Sequence, residues 1–215
     1  QALSAGWGEY RWDVPAAWQR YGLNELTFYF ARVDCPCDVL PANRAIGRTG
    51  LSTPVDIEVN SLSAEQSAIA YITIGSEKGR VDGSMHSWGY NVAVLDPVTG
   101  ALVTRAAFDT TAGASEAQAM ARFIADIAEG QIVVAAMRGE GAKYLTDEAV
   151  AALQSLGCGV DPRQDPTRSH ALIGVKGAAP GTAAEVWEPG QSWLRLGRYP
   201  DDRTLAVALD ELSLE

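Results

Sequence analysis

Hydrophobic positions along this chain change period several times, and each change marks an element. Val55-Asp-Ile-Glu-Val59 alternates apolar and polar residues, which predicts a half-buried strand. Ile69–Ile74 is rich in β-branched residues and ends at Gly75, predicting a second strand, and the polar stretch 75–88 predicts a loop. Tyr90–Leu95 and Leu102–Phe108 flank Asp96-Pro-Val-Thr-Gly100. There Pro presets φ and Gly accepts a positive φ, so the three pieces predict a hairpin. The period then lengthens. Met120, Phe123, Ile124 and Ile127 share one helical face, with Ser115 and Gln118 in capping-box spacing and Gly130 as the stop. Gln131–Met137 lacks polar alternation, predicting a central strand buried on both faces. Thr146 is placed to cap a second helix, with Asp147 and Glu148 in its first turn, an Ala149/Ala152/Leu153/Leu156 stripe, and Gly157 at its end. Ala171–Val175, Glu185–Trp187 and Trp193–Leu196 predict later strands, and Thr204–Leu212 suits either a strand or a helical turn.

Residues 1–33 differ in character. Trp7, Tyr10, Trp12, Trp18, Tyr21 and Phe28–Phe30 crowd into them. Tyr10–Val14 and Leu26–Phe30 predict an aromatic β-hairpin resembling the closing strands of a jelly-roll sandwich, a fold that often carries carbohydrate. Two strands alone cannot bury such a face, so the hairpin is expected to pack on other structure. Residues 34–54, aperiodic and rich in Pro, Gly, Asp and Arg, are expected to form a linker, and the main domain is expected over 55–215.

Composition narrows the function classes. The 215 residues are 47% hydrophobic and 20% charged, which suits a buried core. A net charge of −10 argues against nucleic acid or an anionic membrane surface as partner. The longest apolar run, Ile132–Met137, is too short for membrane insertion. The chain starts at Gln1, as expected of a fragment or a processed form. Cys35-Pro-Cys37 lacks redox or zinc spacing, and with His86 and His170 as the histidines a Cys/His metal cage is not expected. Cys158 either pairs with Cys35 or Cys37 or is a buried free thiol. No metal and no cofactor are expected.

Catalytic motifs are missing from the sequence. The β-α-β-α-β order after Leu102 invites a nucleotide fold, but no G-x-G-x-x-G or Walker loop opens either helix, and Gly139-Glu-Gly141 is a lone glycine pair. No G-x-S-x-G elbow exists, and Ser169 and His170 would point to opposite sides of a strand. Two positions are better placed for a ligand. Asp109 ends the second hairpin strand, and Arg138 ends the central strand, the neighbouring position if those strands pair in parallel. Together they would make a polar rim suited to sugar hydroxyls. Equally, Asp109 or Thr111 would satisfy backbone N–H groups before the helix. Trp88, Trp187 and Trp193, in or near loops, could stack on a sugar or simply pack in the core.

The ordered set Gly89–Gly100, Phe108-Asp-Thr110, Gly130–Ala135, Leu145–Ala149, Leu153–Gly157 and Ala171–Gly177 resembles the interleukin-like EMT inducer, or PANDER-like, domain. That resemblance implies an α+β fold, a β-sandwich-like mixed sheet flanked by two helices, with no catalytic activity of its own. Such domains occur in secreted cytokine-like proteins, in the glycan-binding stem of O-mannose N-acetylglucosaminyltransferase, and in bacterial membrane glycosyltransferases after a jelly-roll-like segment. In the stem, the Asp of the Phe-Asp-Thr motif and a basic residue closing the central strand contact sugar, and these fall on Asp109 and Arg138. The family's usual Arg-Gly before the hairpin is Trp88-Gly89 here, and its Arg-Asp-Ser-Trp run is replaced by Thr167-Arg-Ser-His170. The cysteines of the secreted members are not matched. The expectation is a non-catalytic, extracytoplasmic carbohydrate-binding module of a larger bacterial protein that builds or modifies glycans. Asp109, Arg138 and Trp88 would bind a glycan containing GlcNAc or mannose, and other domains of the parent protein would be partners. The alternative is a structural or protein-interaction module.

Overall fold

A computed structural model describes residues 43–75 and 79–197. The aromatic hairpin expected over 1–33, the element expected at Thr204–Leu212, and Cys35 and Cys37 lie outside the described residues.

Among the described residues, two sheets and two α-helices are built from the predicted elements, except that the stretch 75–88, expected to be a loop, adds a two-residue edge strand at Val81–Asp82. The first sheet joins β1 (Ile57–Leu62), β2 (Ala70–Ile74), β3 (Val81–Asp82) and β9 (Gln191–Leu196) in the order β3-β2-β1-β9. The second joins β4 (Gly89–Leu95), β5 (Leu102–Phe108), β6 (Ile132–Arg138), β7 (Ser169–Val175) and β8 (Ala184–Glu188) in the order β5-β4-β6-β7-β8. Helices α1 (Ala114–Ala125) and α2 (Asp147–Gln154) complete the fold. This is the expected sandwich-like α+β class, with one change in pairing. Among the described residues every strand ladder is antiparallel. The crossover through α1 carries the chain over β4, so β5 and β6 run in the same direction without touching.

The second sheet is the middle layer, and β6 shows why its sequence has no polar alternation. Val133, Ala135 and Met137 join Met120, Ile124, Leu153 and Leu172 in the core under the helices. Ile132, Val134 and Ala136 join Ile57, Val59, Ile72 and Ile173 in the core between the sheets. Alternate side chains therefore enter different cores, and both are apolar. Each fully buried aliphatic side chain contributes about 1.5–3 kcal/mol relative to exposure. Strand β1 faces a core on one side only, and its burial alternates accordingly. Residues 43–54, expected within a linker, instead pack on this body: Ile46 is fully buried between the sheets, and Arg44 pairs with Asp56 at 2.5 Å.

Local chemistry explains most boundaries. Thr146 caps α2 as predicted, its hydroxyl accepting from the Ala149 N–H at 3.3 Å. The capping box expected at Ser115 and Gln118 is not formed. The α1 helix starts two residues earlier, with Gly113 at the cap, and Ser115 lies inside the first turn. Glu116 instead reaches back to accept from the Asp109 N–H at 3.2 Å.

The hairpin turn is held by Asp96, whose carboxylate accepts from the N–H groups of Val98 and Thr99 and from the Thr99 hydroxyl, at 3.0, 2.7 and 2.9 Å. The Thr99 bonds, then that from Val98, hold its pKa below the ordinary carboxylate value. A folded pKa below the unfolded one gives stability that is present at neutral pH and lost as pH falls through the lower value. Asp96→Ala should therefore lower the unfolding midpoint at pH 7, and the difference from the parent should shrink below about pH 4. Thermal scans of both proteins from pH 7 to pH 3 check this; a pH-independent difference would contradict it.

Candidate functional site

The ends of β5 and β6 emerge at the same edge of the middle sheet, on either side of the start of β4. Phe108 and Met137 both stand opposite Tyr90, and Arg138 stands opposite Gly89. The loops leaving these ends border a depression of about 370 Å³ lined by Ala64, Trp88, Asp109, Thr111 and Glu140. Its volume falls within the range of small-ligand sites.

Each wall is tied to the fold. The loop carrying Trp88 is pinned by buried Asn91 of β4, whose Oδ1 accepts from the Met85 and Ser87 N–H groups while its Nδ2 donates to the Ser87 carbonyl at 2.8 Å. Arg105 donates to the carbonyls of Asp82 and Ser84 from the β5 side. The Thr110 hydroxyl donates to the Gly141 carbonyl at 2.6 Å, joining the β5–α1 loop to the β6–α2 loop. Phe108, the residue before Asp109, packs its ring 5.5 Å from Phe123 of α1. The Phe-Asp-Thr motif thus supplies a core anchor, a rim carboxylate and a loop tie in three successive residues.

Asp109 is half-buried, and Oδ1 accepts from the Thr111 N–H at 3.2 Å and from the Thr111 hydroxyl. That is the local turn role anticipated from sequence. Among the described residues no group hydrogen-bonds its Oδ2.

Arg138 does not line the depression, and no parallel pairing places it beside Asp109, because β4 lies between their strands. Its Nε donates to the Ala68 carbonyl at 2.8 Å, Nη1 donates to the His86 carbonyl, and the guanidinium lies 4.7 Å from the Trp88 ring centre. Arg138 therefore fixes the loop and the indole that form one wall. Gly139 completes the seat. A Cβ there would stand 2.6 Å from Trp88 Cζ3, so only glycine lets the ring lie against this backbone. Trp88 remains 44% exposed, enough of its ring for a ligand to stack on.

Among the described residues the other two tryptophans lie on strands. Trp187, on β8, carries Arg168 4.6 Å from its ring centre. Trp193, on β9, donates to Glu58 at 2.8 Å and stacks with Arg195. Neither borders the depression. Ser169 and His170 do point to opposite faces: Ser169 bonds Ser192 of the first sheet at 2.9 Å, and His170 enters the helix-side core.

That core holds a polar group which sequence spacing gave no means of assembling. His170 is fully buried, with Nδ1 2.8 Å from the Tyr90 hydroxyl and Nε2 2.9 Å from Glu185 Oε1. Cys158, free and fully buried, donates to the same Oε1 at 2.8 Å. Burial first, then the neighbouring Glu185 carboxylate, pushes the Cys158 thiol pKa up. Despite a burial penalty acting the other way, hydrogen bonds from His170 and Cys158 hold Glu185 below its ordinary value. The thiol is a poor nucleophile in this state. The four residues come from three strands and a loop, and only the fold brings them together.

Among the described residues no helix is long and apolar enough to cross a membrane. The family model described as ILEI, Interleukin-like EMT inducer, matches residues 88–178. It is a family of cytokine-like and glycosyltransferase-associated accessory domains without catalysis of their own. The match starts at the tryptophan of the depression and runs past β7, so the hairpin, the Phe-Asp-Thr corner and Arg138 all lie within the stretch that matches this family model.

Proposed function

We propose that this domain is a non-catalytic carbohydrate-binding module, working outside the cytoplasm as part of a larger protein concerned with glycan synthesis or modification. The observation that carries the proposal is the composition of one depression. An exposed indole offers a face for the C–H side of a sugar ring, while the carboxylates of Asp109 and Glu140 and the oxygen of the Thr111 hydroxyl, whose proton goes to Asp109, offer acceptors for its hydroxyls. Arg138 acts mainly from behind, by holding Trp88 in place. Its Nη2 has no hydrogen-bond partner among the described residues, but Arg138 does not line the depression.

Calorimetric titration of saccharides containing GlcNAc or mannose tests this. Trp88→Ala and Asp109→Ala should each weaken binding about 10–100-fold, corresponding to a lost stacking contact or a lost charged hydrogen bond. If no saccharide binds, or if both variants bind like the parent, the proposal fails.

One observation favours a second reading, a protein-interaction module. Tyr71 and Trp193 both stand opposite Asn60 across β1, and they are 47% and 49% exposed on the outer face of the first sheet. A chain that binds no saccharide but is captured by another domain of its parent protein, with loss of capture in Tyr71→Ser/Trp193→Ser, would favour this reading.

A further inference from the structure

We infer that Cys158, His170 and Glu185 form a binding site for a single divalent transition-metal ion of the zinc type. Cys158 Sγ, His170 Nε2 and a Glu185 carboxylate oxygen lie within 4.8 Å of one another. They are carried by the loop after α2, by β7 and by β8, all packed against the helix-side core.

Four features point to a metal ion rather than to a polar network alone. The donor set of thiolate sulfur, imidazole nitrogen and carboxylate oxygen is the set zinc accepts. Zinc–ligand bonds of about 2.0–2.3 Å put ligand atoms roughly 3–4 Å apart. Sγ and Nε2 now stand 2.8 and 2.9 Å from Oε1, so a small outward shift admits the ion. Charge also balances: thiolate and carboxylate together neutralise a divalent cation, with the imidazole neutral, as burial in a low-dielectric core demands.

Finally, the atoms behind the ligands are already held. His170 Nδ1 is fixed by the Tyr90 hydroxyl at 2.8 Å, and Glu185 Oε2 accepts from the Gly159 N–H at 2.8 Å. Outer partners of this kind orient metal ligands. Glu185 keeps 13% of its side chain exposed, which marks the side from which an ion enters. On binding, the Cys158 S–H proton passes to solvent, and His170 carries its proton on Nδ1, donating to the Tyr90 oxygen. Three protein ligands leave a fourth position for water or a small anion.

The test is titration of the reduced, chelator-stripped full chain with Co²⁺, followed by competition with Zn²⁺. One equivalent of Co²⁺ should give a thiolate-to-cobalt charge-transfer band that Zn²⁺ abolishes. Cys35→Ser/Cys37→Ser should keep the band and Cys158→Ala should lose it. Tyr90→Phe should keep the band but weaken affinity about 10–100-fold. Absence of the band in the parent, its loss in the Cys35/Cys37 variant, or its survival in Cys158→Ala would each overturn the assignment. Should Cys158→Ala fail to fold, the Cys35/Cys37 variant decides alone, since Cys158 is its one remaining thiol. Saccharide binding uses a different set of residues, so the outcome here is read separately from the proposed function.

Discussion

Gly174→Ala is expected to lower stability by about 3 kcal/mol or more, the upper range for overpacking a tight core. Gly174 sits in β7 between Ile173, which faces the sheet–sheet core, and Val175. Its own Cβ direction leads to the helix side, where the Leu156 backbone carbonyl already occupies the space. That carbonyl accepts from the Val175 N–H at 3.0 Å, so it cannot withdraw without losing the bond that ties the end of α2 to the sheet. Backbone yields less readily than a side chain, and the strain would spread into α2 and the loop carrying Cys158. For a domain of this size the midpoint should fall by roughly 6–12 °C. Gly113→Ala is the control. Nothing lies within 4 Å of a Cβ at Gly113, and its extended φ suits any residue, so the change should cost only the ordinary loss of a glycine N-cap, about 1 kcal/mol or less. Similar shifts for the two variants would contradict the steric argument.

Gly174 also shows where sequence reading stops. The run Ala171-Leu-Ile-Gly-Val175 reads as a strand, but nothing in it says that another chain segment presses on its fourth residue. Local signals did carry the elements they control. Periodicity separated β6 from α1, the Asp-Pro-Val-Thr-Gly turn fixed the hairpin, and Thr146 marked the start of α2. Ser115 failed as a cap because Glu116 is drawn back to the Asp109 N–H, a contact across a loop. Ile46 could not be distinguished from a linker residue, since one isolated apolar side chain has no period. The depression was half legible. Asp109 and Trp88 were visible from their places beside strands, whereas Glu140 had no pattern to mark it. The Tyr90/Cys158/His170/Glu185 group was invisible because its members lie far apart in sequence and meet only through antiparallel pairing.

Arg138→Ala should separate the ligand-binding role expected of that residue from the scaffold role its contacts show. If the guanidinium chiefly holds structure, its loss removes two charge-assisted hydrogen bonds, to Ala68 and His86, and the stack on Trp88. Each such bond is worth about 1.5–3 kcal/mol when well buried and the stack about 0.5–1 kcal/mol. Arg138 is only partly buried and the terms are not additive, so a total near 2–3 kcal/mol is expected. Saccharide affinity should fall as well, because Trp88 loses its seat. Asp109→Ala removes only a local turn contact to Thr111, costing about 1 kcal/mol or less, while its effect on binding should be as large. Arg138→Lys should behave like Arg138→Ala in thermal scans, since an ammonium cannot reproduce a planar fork that bonds two carbonyls and stacks on an indole. The discriminating result is the ratio of the two losses. A variant at Arg138 that keeps its unfolding midpoint within about 1 °C of the parent yet no longer binds saccharide would make the arginine a direct ligand contact and remove it from the scaffold.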